Sequence, residues 1–483
     1  MESFQETLRR PQSLITRILC LVIVMSAAVF TATCHFAIGG EIGMGAVVRY
    51  DNGIADGAAP ADGAPAASGI LDTPGTPDAP GAEAGDYLSA GLTQTGYAEH
   101  PISAESPTDE LFGPPMPALP PLNYEEIQAA VERIAQEYGA TAVSVAIVRN
   151  GSVAGTFVYG YATKGTVPLT DEGVFRVASI SKPVIGMVVM RLVELGEIGL
   201  DTDISEYWGE PVRNPAYPDV PITIRQMLNH TSSFHPFIYG FSASEERIRT
   251  RIRNGTAFDA VIPGAFESFA YNNYAYAVLG LTIELATNET VNNHARRHLF
   301  EPFGIDAAFG GGALLNTDNL VTLYRHTGVI GMSAGDNRNR LGSTFPGQCG
   351  IEFAGGLTIN APDLAILIAA LANGGEYRGI RILSEDSVRQ MQEVLGAVRG
   401  FEQCLALRRV EAHFGEEVLY FHTGTSFGVF TLASYNPHNR NGVVVLTSGA
   451  YGRRTYAGIT YICAKISEFI YRAMREAAVE YSQ

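Results

Sequence analysis

Residues 175–183 read Phe175-Arg176-Val177-Ala178-Ser179-Ile180-Ser181-Lys182-Pro183, and they open an apolar run from Val184 to Leu195. On a helix, positions i and i+3 share a face, so the Ser179 hydroxyl and the Lys182 amine can meet there. A serine hydroxyl needs a base before it becomes a good nucleophile. Lysine is such a base only where burial or neighbouring cations lower its pKa, and Met187, Val188, Val189 and Leu192 supply apolar surroundings. Lysine is scarce in this chain: Lys164, Lys182 and Lys465 are the only ones, and the remaining basic charge is arginine, which keeps its proton. Serine is common, so the spacing alone is a weak signal and the partners downstream decide its weight.

Working outward, a helix is expected over Tyr124 to Tyr138, with Ile127, Val131 and Ile134 on one face. Two β-rich runs follow, Thr141 to Val148 and Val153 to Tyr159, split by the hairpin signal Asn150-Gly151. The helix after Ser179 should end at Gly196, and a short one should span Ile224 to Asn229. Further helices are expected over Ser268 to Ala286, Pro362 to Leu371 and Leu383 to Leu395, the last capped by Ser384. Strands then return at Val418 to His422, Phe427 to Tyr435 and Gly442 to Ser448, before an amphipathic helix over Tyr456 to Ala477. This order predicts an α/β (α+β) domain at 122–483. It would be an antiparallel β-sheet built from both ends of the domain, flanked by helices, with a mostly helical subdomain inserted.

The first third reads differently. No formal charge occurs from Ile18 to Gly40, with Arg9, Arg10 and Arg17 before it and acids after. Residues 1–40 are therefore expected to form a signal-anchor transmembrane segment that leaves the rest extracytoplasmic. A cleaved signal peptide and a lipoprotein site at Cys34 are the alternatives. Residues 41–121 are rich in Ala, Gly, Pro and Asp and are expected to be a disordered linker. That tract holds about twelve acids against one arginine, much of the net charge of −17. Such a balance argues against nucleic acid as a partner. The five cysteines show no CxxC spacing and no histidine cluster, so no zinc site, metal or cofactor is expected. Cys349 and Cys404 are left open as a disulfide.

Two later segments suit the chemistry. Tyr271-Asn272-Asn273 offers a phenol that can relay protons beside an ammonium and, in Asn273, an amide for a substrate carbonyl. His422-Thr423-Gly424-Thr425 lies at a strand end, where glycine admits a substrate backbone and a neighbouring N–H can meet an oxyanion. Leu228-Asn229-His230-Thr231-Ser232-Ser233 gives no catalytic argument from its residues and reads as a capped helix end.

In this order, and with Ala354-Gly355-Gly356-Leu357 between them, these motifs resemble those of the penicillin-recognising serine hydrolases: class C β-lactamases, serine DD-peptidases and related esterases and D-aminopeptidases. The resemblance runs from about Asn123 to the C-terminus. It implies a β-lactamase/transpeptidase-like fold, with Ser179 as acylated nucleophile, Lys182 as its base or base partner and Tyr271 as proton shuttle. It implies substrate binding by Asn273, His422, Thr423, Gly424 and Thr425, with an oxyanion hole from the N–H groups of Ser179 and Thr425. His422 stands where class C β-lactamases usually have lysine, which points toward the DD-peptidases and esterases. The expectation is a D-alanyl-D-alanine carboxypeptidase-like peptidase acting on a small peptide or ester, with cell-wall peptidoglycan as a candidate substrate. An esterase, amidase or β-lactamase, and an inactive wall-binding protein, are the alternatives.

Overall fold

A computed structural model describes residues 121–483, except 237–243, 349, 453, 455–456 and 483. The expected membrane segment at 1–40 and nearly all of the 41–121 linker lie outside the described residues. Among the described residues no helix is long and apolar enough to cross a membrane.

Helix α1 (Tyr124–Glu137) starts where the Asn123 side chain accepts the Glu126 N–H. Strands β1 (Ala142–Arg149) and β2 (Ser152–Thr163) form the expected hairpin. Its turn needs positive φ at both central residues, and Asn150 (49°) and Gly151 (77°) supply it. A short β3 (Val167–Pro168) continues the sheet, and α2 (Ser181–Glu194) carries Lys182 into the interior. Gly196, at φ 73°, ends α2, because the Glu197 N–H turns back to the Leu192 carbonyl at 3.0 Å.

The middle is helical, as expected, and its longest buried element is α3 (Asn273–Thr287). Asn272 caps α3 by accepting the Ala275 N–H, so the helix begins five residues later than the apolar pattern suggests. That delay leaves Tyr271 on the loop before the helix. Then come α4 (Ile351–Gly355) and α5 (Ala361–Ala372). Strands β4 (Gly396–Val398), β5 (Phe401–Gln403) and β6 (Arg408–His413) precede the long β7 (Glu416–Ser426), β8 (Val429–Asn436) and β9 (Asn441–Ser448). Helix α6 (Tyr461–Ser482) closes the chain.

The nine strands form one antiparallel sheet in the order β4-β5-β6-β7-β8-β9-β1-β2-β3, which joins the two ends of the domain through β9 and β1. Alternation decides which face each side chain serves. Val143, Val145 and Ile147 of β1 pack under α1 and α6, against Ile127, Val131, Ile462 and Ile466. Ala142, Ala146 and Val148 face the other layer, which holds α2, α3 and α5. Both faces of β1 are covered, and its sequence is correspondingly apolar throughout.

Strands β4 to β6 were not expected. The β5–β6 connection, Cys404-Leu405-Ala406-Leu407, is wholly buried, so it shows no alternation to read. It plugs against α2 at Gly186, where an added Cβ would sit 2.8 Å from the Ala406 Cβ. Burial pushes the Cys404 thiol up to about 12, and its suggested partner Cys349 lies outside the described residues.

Candidate active site

Ser179 sits in a single 3-10 turn, Ala178–Ile180, just before α2. The turn forces Ala178 to φ 54°, a left-handed conformation that costs a β-carbon residue about 1–3 kcal/mol. Three contacts hold it there. Ser181 Oγ donates to the Ala178 carbonyl at 2.7 Å and accepts the Leu357 N–H at 2.9 Å. Thr431 Oγ1 donates to the Val177 carbonyl at 2.9 Å. Ser181, a motif residue with no role in the sequence reading, is thus the peg that fixes the Ser179 turn to the Gly356-Leu357 segment.

Lys182 is fully buried. Its Nζ donates to the Ala354 carbonyl at 2.7 Å, to Asn273 Oδ1 at 2.8 Å and, more weakly, to Ser179 Oγ at 3.3 Å. It also lies 5.0 and 5.1 Å from the ring centres of Tyr271 and Tyr276. Burial lowers the Lys182 pKa, which is what a lysine base requires. For Tyr271, burial alone would raise the phenol. The Lys182 and Arg408 cations, with hydrogen bonds to Ser179 and Lys182, outweigh it and hold Tyr271 below its ordinary value. Hydroxyl, amine and phenol therefore form one cluster whose chemistry suits proton exchange.

Gly424 lets β7 close on the Ser179 turn. An added Cβ there would lie 2.3 Å from the Val177 carbonyl oxygen, so no other residue fits. This contact brings the Thr425 segment beside Ser179. Pairing between β6 and β7 reaches only Arg408 opposite Phe421. The β6-side edge of β7 from His422 onward is therefore beyond that ladder, where an extended substrate can lie. His422 is buried and donates its Nδ1–H to the Thr423 carbonyl at 2.8 Å. Burial, with the Arg408 and Lys182 cations nearby, pushes its pKa well down, so the imidazole is neutral.

All eight residues singled out from the sequence converge: Ser179, Lys182, Tyr271 and Asn273 directly, His422, Thr423, Gly424 and Thr425 along the facing strand. Two more belong with them. Arg408, directly after the buried 404–407 plug, places its guanidinium 5.3 Å from the Tyr271 ring centre and 4.4 Å from that of Phe401. Its Nη1 donates to Thr423 Oγ1 at 3.3 Å, and its buried Nε has no partner. His230, at φ 66°, accepts the Ala270 N–H on its carbonyl (3.0 Å) and the Asn272 N–H on Nδ1 (3.1 Å). It thereby grips both neighbours of Tyr271, with the two rings 4.6 Å apart. Asn272 donates to the Phe234 carbonyl and accepts the Ala275 N–H. A basic residue ending an apolar run was the available signal for Arg408. His230 lies in a segment that carries the family resemblance, but its residues give no argument for a role at the site. Among the described residues no group of three or more His, Cys, Asp or Glu converges on a metal-sized site.

A protein-family model described as Beta-lactamase matches residues 127–462. Penicillin-binding protein 4* of Bacillus subtilis is 26% identical over 155 residues, which cover 31% of this chain and 33% of that protein. The chain thus spans about a third of the length of that curated relative. Among solved structures, D-amino acid amidase from Ochrobactrum anthropi SV3 matches with a TM-score of 0.57 at 21% identity, covering 74% of this chain and 99% of the other. D-alanine carboxypeptidase AmpC from Burkholderia cenocepacia matches with a TM-score of 0.54 at 18% identity, covering 74% and 100%. At these identities the likeness is one of fold.

Proposed function

The chain belongs to the beta-lactamase family of serine hydrolases, and on that premise we propose that it is a carboxypeptidase-like hydrolase of D-amino-acid peptides. The observation that carries this reading is Arg408. Its guanidinium bonds Thr423 beside the cluster, and among the described residues it pairs with no carboxylate. A half-buried guanidinium with no carboxylate beside it is costly unless a ligand supplies the anion, and a fork of N–H donors suits a carboxylate. A peptide with its C-terminal carboxylate on Arg408 and Thr423 would present its last amide to Ser179. The names of the structural neighbours, a D-alanine carboxypeptidase and a D-amino acid amidase, support D-configured substrates.

In the reaction, Ser179 Oγ bonds to the amide carbon while its proton passes to Lys182 or Tyr271. Two N–H groups, from Ser179 and Thr425, take the charge on the carbonyl oxygen. The C–N bond breaks, the leaving amine gains the proton, and water then hydrolyses the acyl-serine ester. The domain would work outside the cytoplasm, tethered through residues 18–40; protease accessibility on intact cells tests that placement.

The function is tested by comparing acyl-D-Ala-D-Ala with its C-terminal amide. A clear preference for the free acid, lost in Arg408→Gln mainly through KM, is expected. Equal rates on acid and amide would overturn the carboxypeptidase reading in favour of an amidase or esterase. Turnover by Ser179→Ala would overturn the acyl-enzyme itself.

A further inference from the structure

A second guanidinium lies on the same stretch of β7. Arg454 Nη2 donates to Thr425 Oγ1 at 3.4 Å, as Arg408 does to Thr423. Thr423 and Thr425 are two residues apart on a strand, so their side chains share a face and stand about 7 Å apart along it. The Arg454 backbone forms a β-bridge with Thr460. Neither arginine pairs with a carboxylate among the described residues. Elsewhere the chain does the opposite: Arg213 sits on Asp203, Arg225 on Asp201, and Arg249 and Arg253 on Glu210. In a protein with a net charge of −17, carboxylates to neutralise both positions are plentiful, yet neither position has one.

Two like charges held close repel, and together they favour an anion over a neutral or cationic group. A single substrate carboxylate answers one of them. A leaving residue with two carboxylates answers both, and the two-residue spacing of the threonines matches an α-carboxylate and a short acidic side chain.

We infer that the site is selective for peptides whose C-terminal residue is itself acidic, of the D-glutamate type, with the α-carboxylate on Arg408 and Thr423 and the side-chain carboxylate on Arg454 and Thr425. This rests on the carboxypeptidase reading and names its leaving group.

The test measures kcat/KM for three acyl-D-Ala peptides ending in D-Ala, D-Glu or D-Gln. D-Glu and D-Gln have the same size and differ in charge. The wild-type protein should prefer D-Glu over D-Gln by about threefold to tenfold, the range of a partly exposed charge-assisted contact, with the preference shrinking in high salt. Arg454→Gln should bring the ratio to near one, and Arg454→Glu should shift preference toward a D-Lys terminus. Arg454 is exposed, so folding is checked simply by an unchanged melting temperature. A wild-type ratio of one, or a ratio that survives Arg454→Gln, overturns the inference while D-Ala release leaves the carboxypeptidase reading standing. An equal loss on D-Ala and D-Glu peptides in Arg454→Gln overturns it too, because both arginines would then share one carboxylate. No cleavage of any of the three overturns the carboxypeptidase reading, and this inference with it.

Discussion

Two buried cations flank the Ser179 turn, and their surroundings differ. Arg176, three residues before the nucleophile, is buried against the Glu352 carboxylate, which also takes Arg340 Nη1 at 3.0 Å. Phe427 packs between the two guanidiniums, with ring-centre distances of 5.7 and 5.8 Å. Lys182, three residues after the nucleophile, has no carboxylate among the described residues; a carbonyl, an amide oxygen and two aromatic rings surround it. One short helix, α4, serves both, through the Glu352 side chain for Arg176 and the Ala354 carbonyl for Lys182. The compensated pair holds the frame. The uncompensated amine is pushed toward neutrality and left able to exchange a proton.

The largest expected effect breaks the Lys182 side. Lys182→Arg keeps a cation but removes the group that can be neutral, so kcat/KM should fall by at least about 10²–10⁴-fold, the worth of a general base. In the proposed mechanism the active form carries a neutral Lys182 amine. Activity should therefore be lost as pH falls through a pKa below lysine's ordinary value, and a pH–rate profile reads it. A lysine-like pKa near its ordinary range would sink this role.

Breaking the Arg176 side should act on stability instead. Glu352→Gln leaves two guanidiniums over a neutral amide, and the loss should be about 3–5 kcal/mol in denaturant unfolding. Replacing the pair together, Arg176→Met with Glu352→Leu, should recover part of it if the pair is a frame and not a catalytic group. Equal stability in Glu352→Gln would refute the distinction drawn here.

The sequence revealed the two sides unequally. Ser179, Lys182, Tyr271, Asn273 and the His422–Thr425 strand were legible because each motif is contiguous and its chemistry is local. The hairpin at Asn150-Gly151 and the stop at Gly196 were legible because positive φ favours particular residues. Arg176 and Glu352 pair across 176 positions, and nothing local in either announces the other. Arg408 was hidden for a related reason: the strands that carry it have no alternation, since their connecting turn is a buried plug. His230 acts through its backbone carbonyl and one ring nitrogen, which no residue pattern encodes.

His230 offers a smaller effect that sharpens what surrounds Lys182. Burial, with the Lys182 and Arg408 cations, keeps its ring neutral, so Nδ1 stays an acceptor for the Asn272 N–H. His230→Leu should lower kcat by about tenfold to a hundredfold through a misplaced Tyr271, with KM little changed. His230→Asn should recover much of it, because asparagine accepts a hydrogen bond and tolerates φ 66°. A purely structural role would move the melting temperature in both variants and spare the pH profile, whereas loss of Tyr271 placement should alter its alkaline limb.

The smallest effect concerns a buried carboxyl. Glu284 on α3 accepts N–H bonds from Gly347 (2.8 Å) and Val291 (3.2 Å) and an O–H bond from Ser343 (3.1 Å), and among the described residues no cation pairs with it. Burial outweighs those donors and raises its carboxyl to about 7, from an ordinary 4.5. A raised folded pKa means the folded protein keeps a proton that the unfolded chain releases in this window. The stabilising contribution is thus complete below 4.5 and lost as pH rises through about 7. Thermal melting should fall by a few degrees across that window. In Glu284→Gln, which cannot titrate, that slope should flatten while the acid limb set by Lys182 stays in place. A slope unchanged in the variant would show that Glu284 is ionised throughout, and that an uncompensated charge can be buried in this domain without being driven to neutrality.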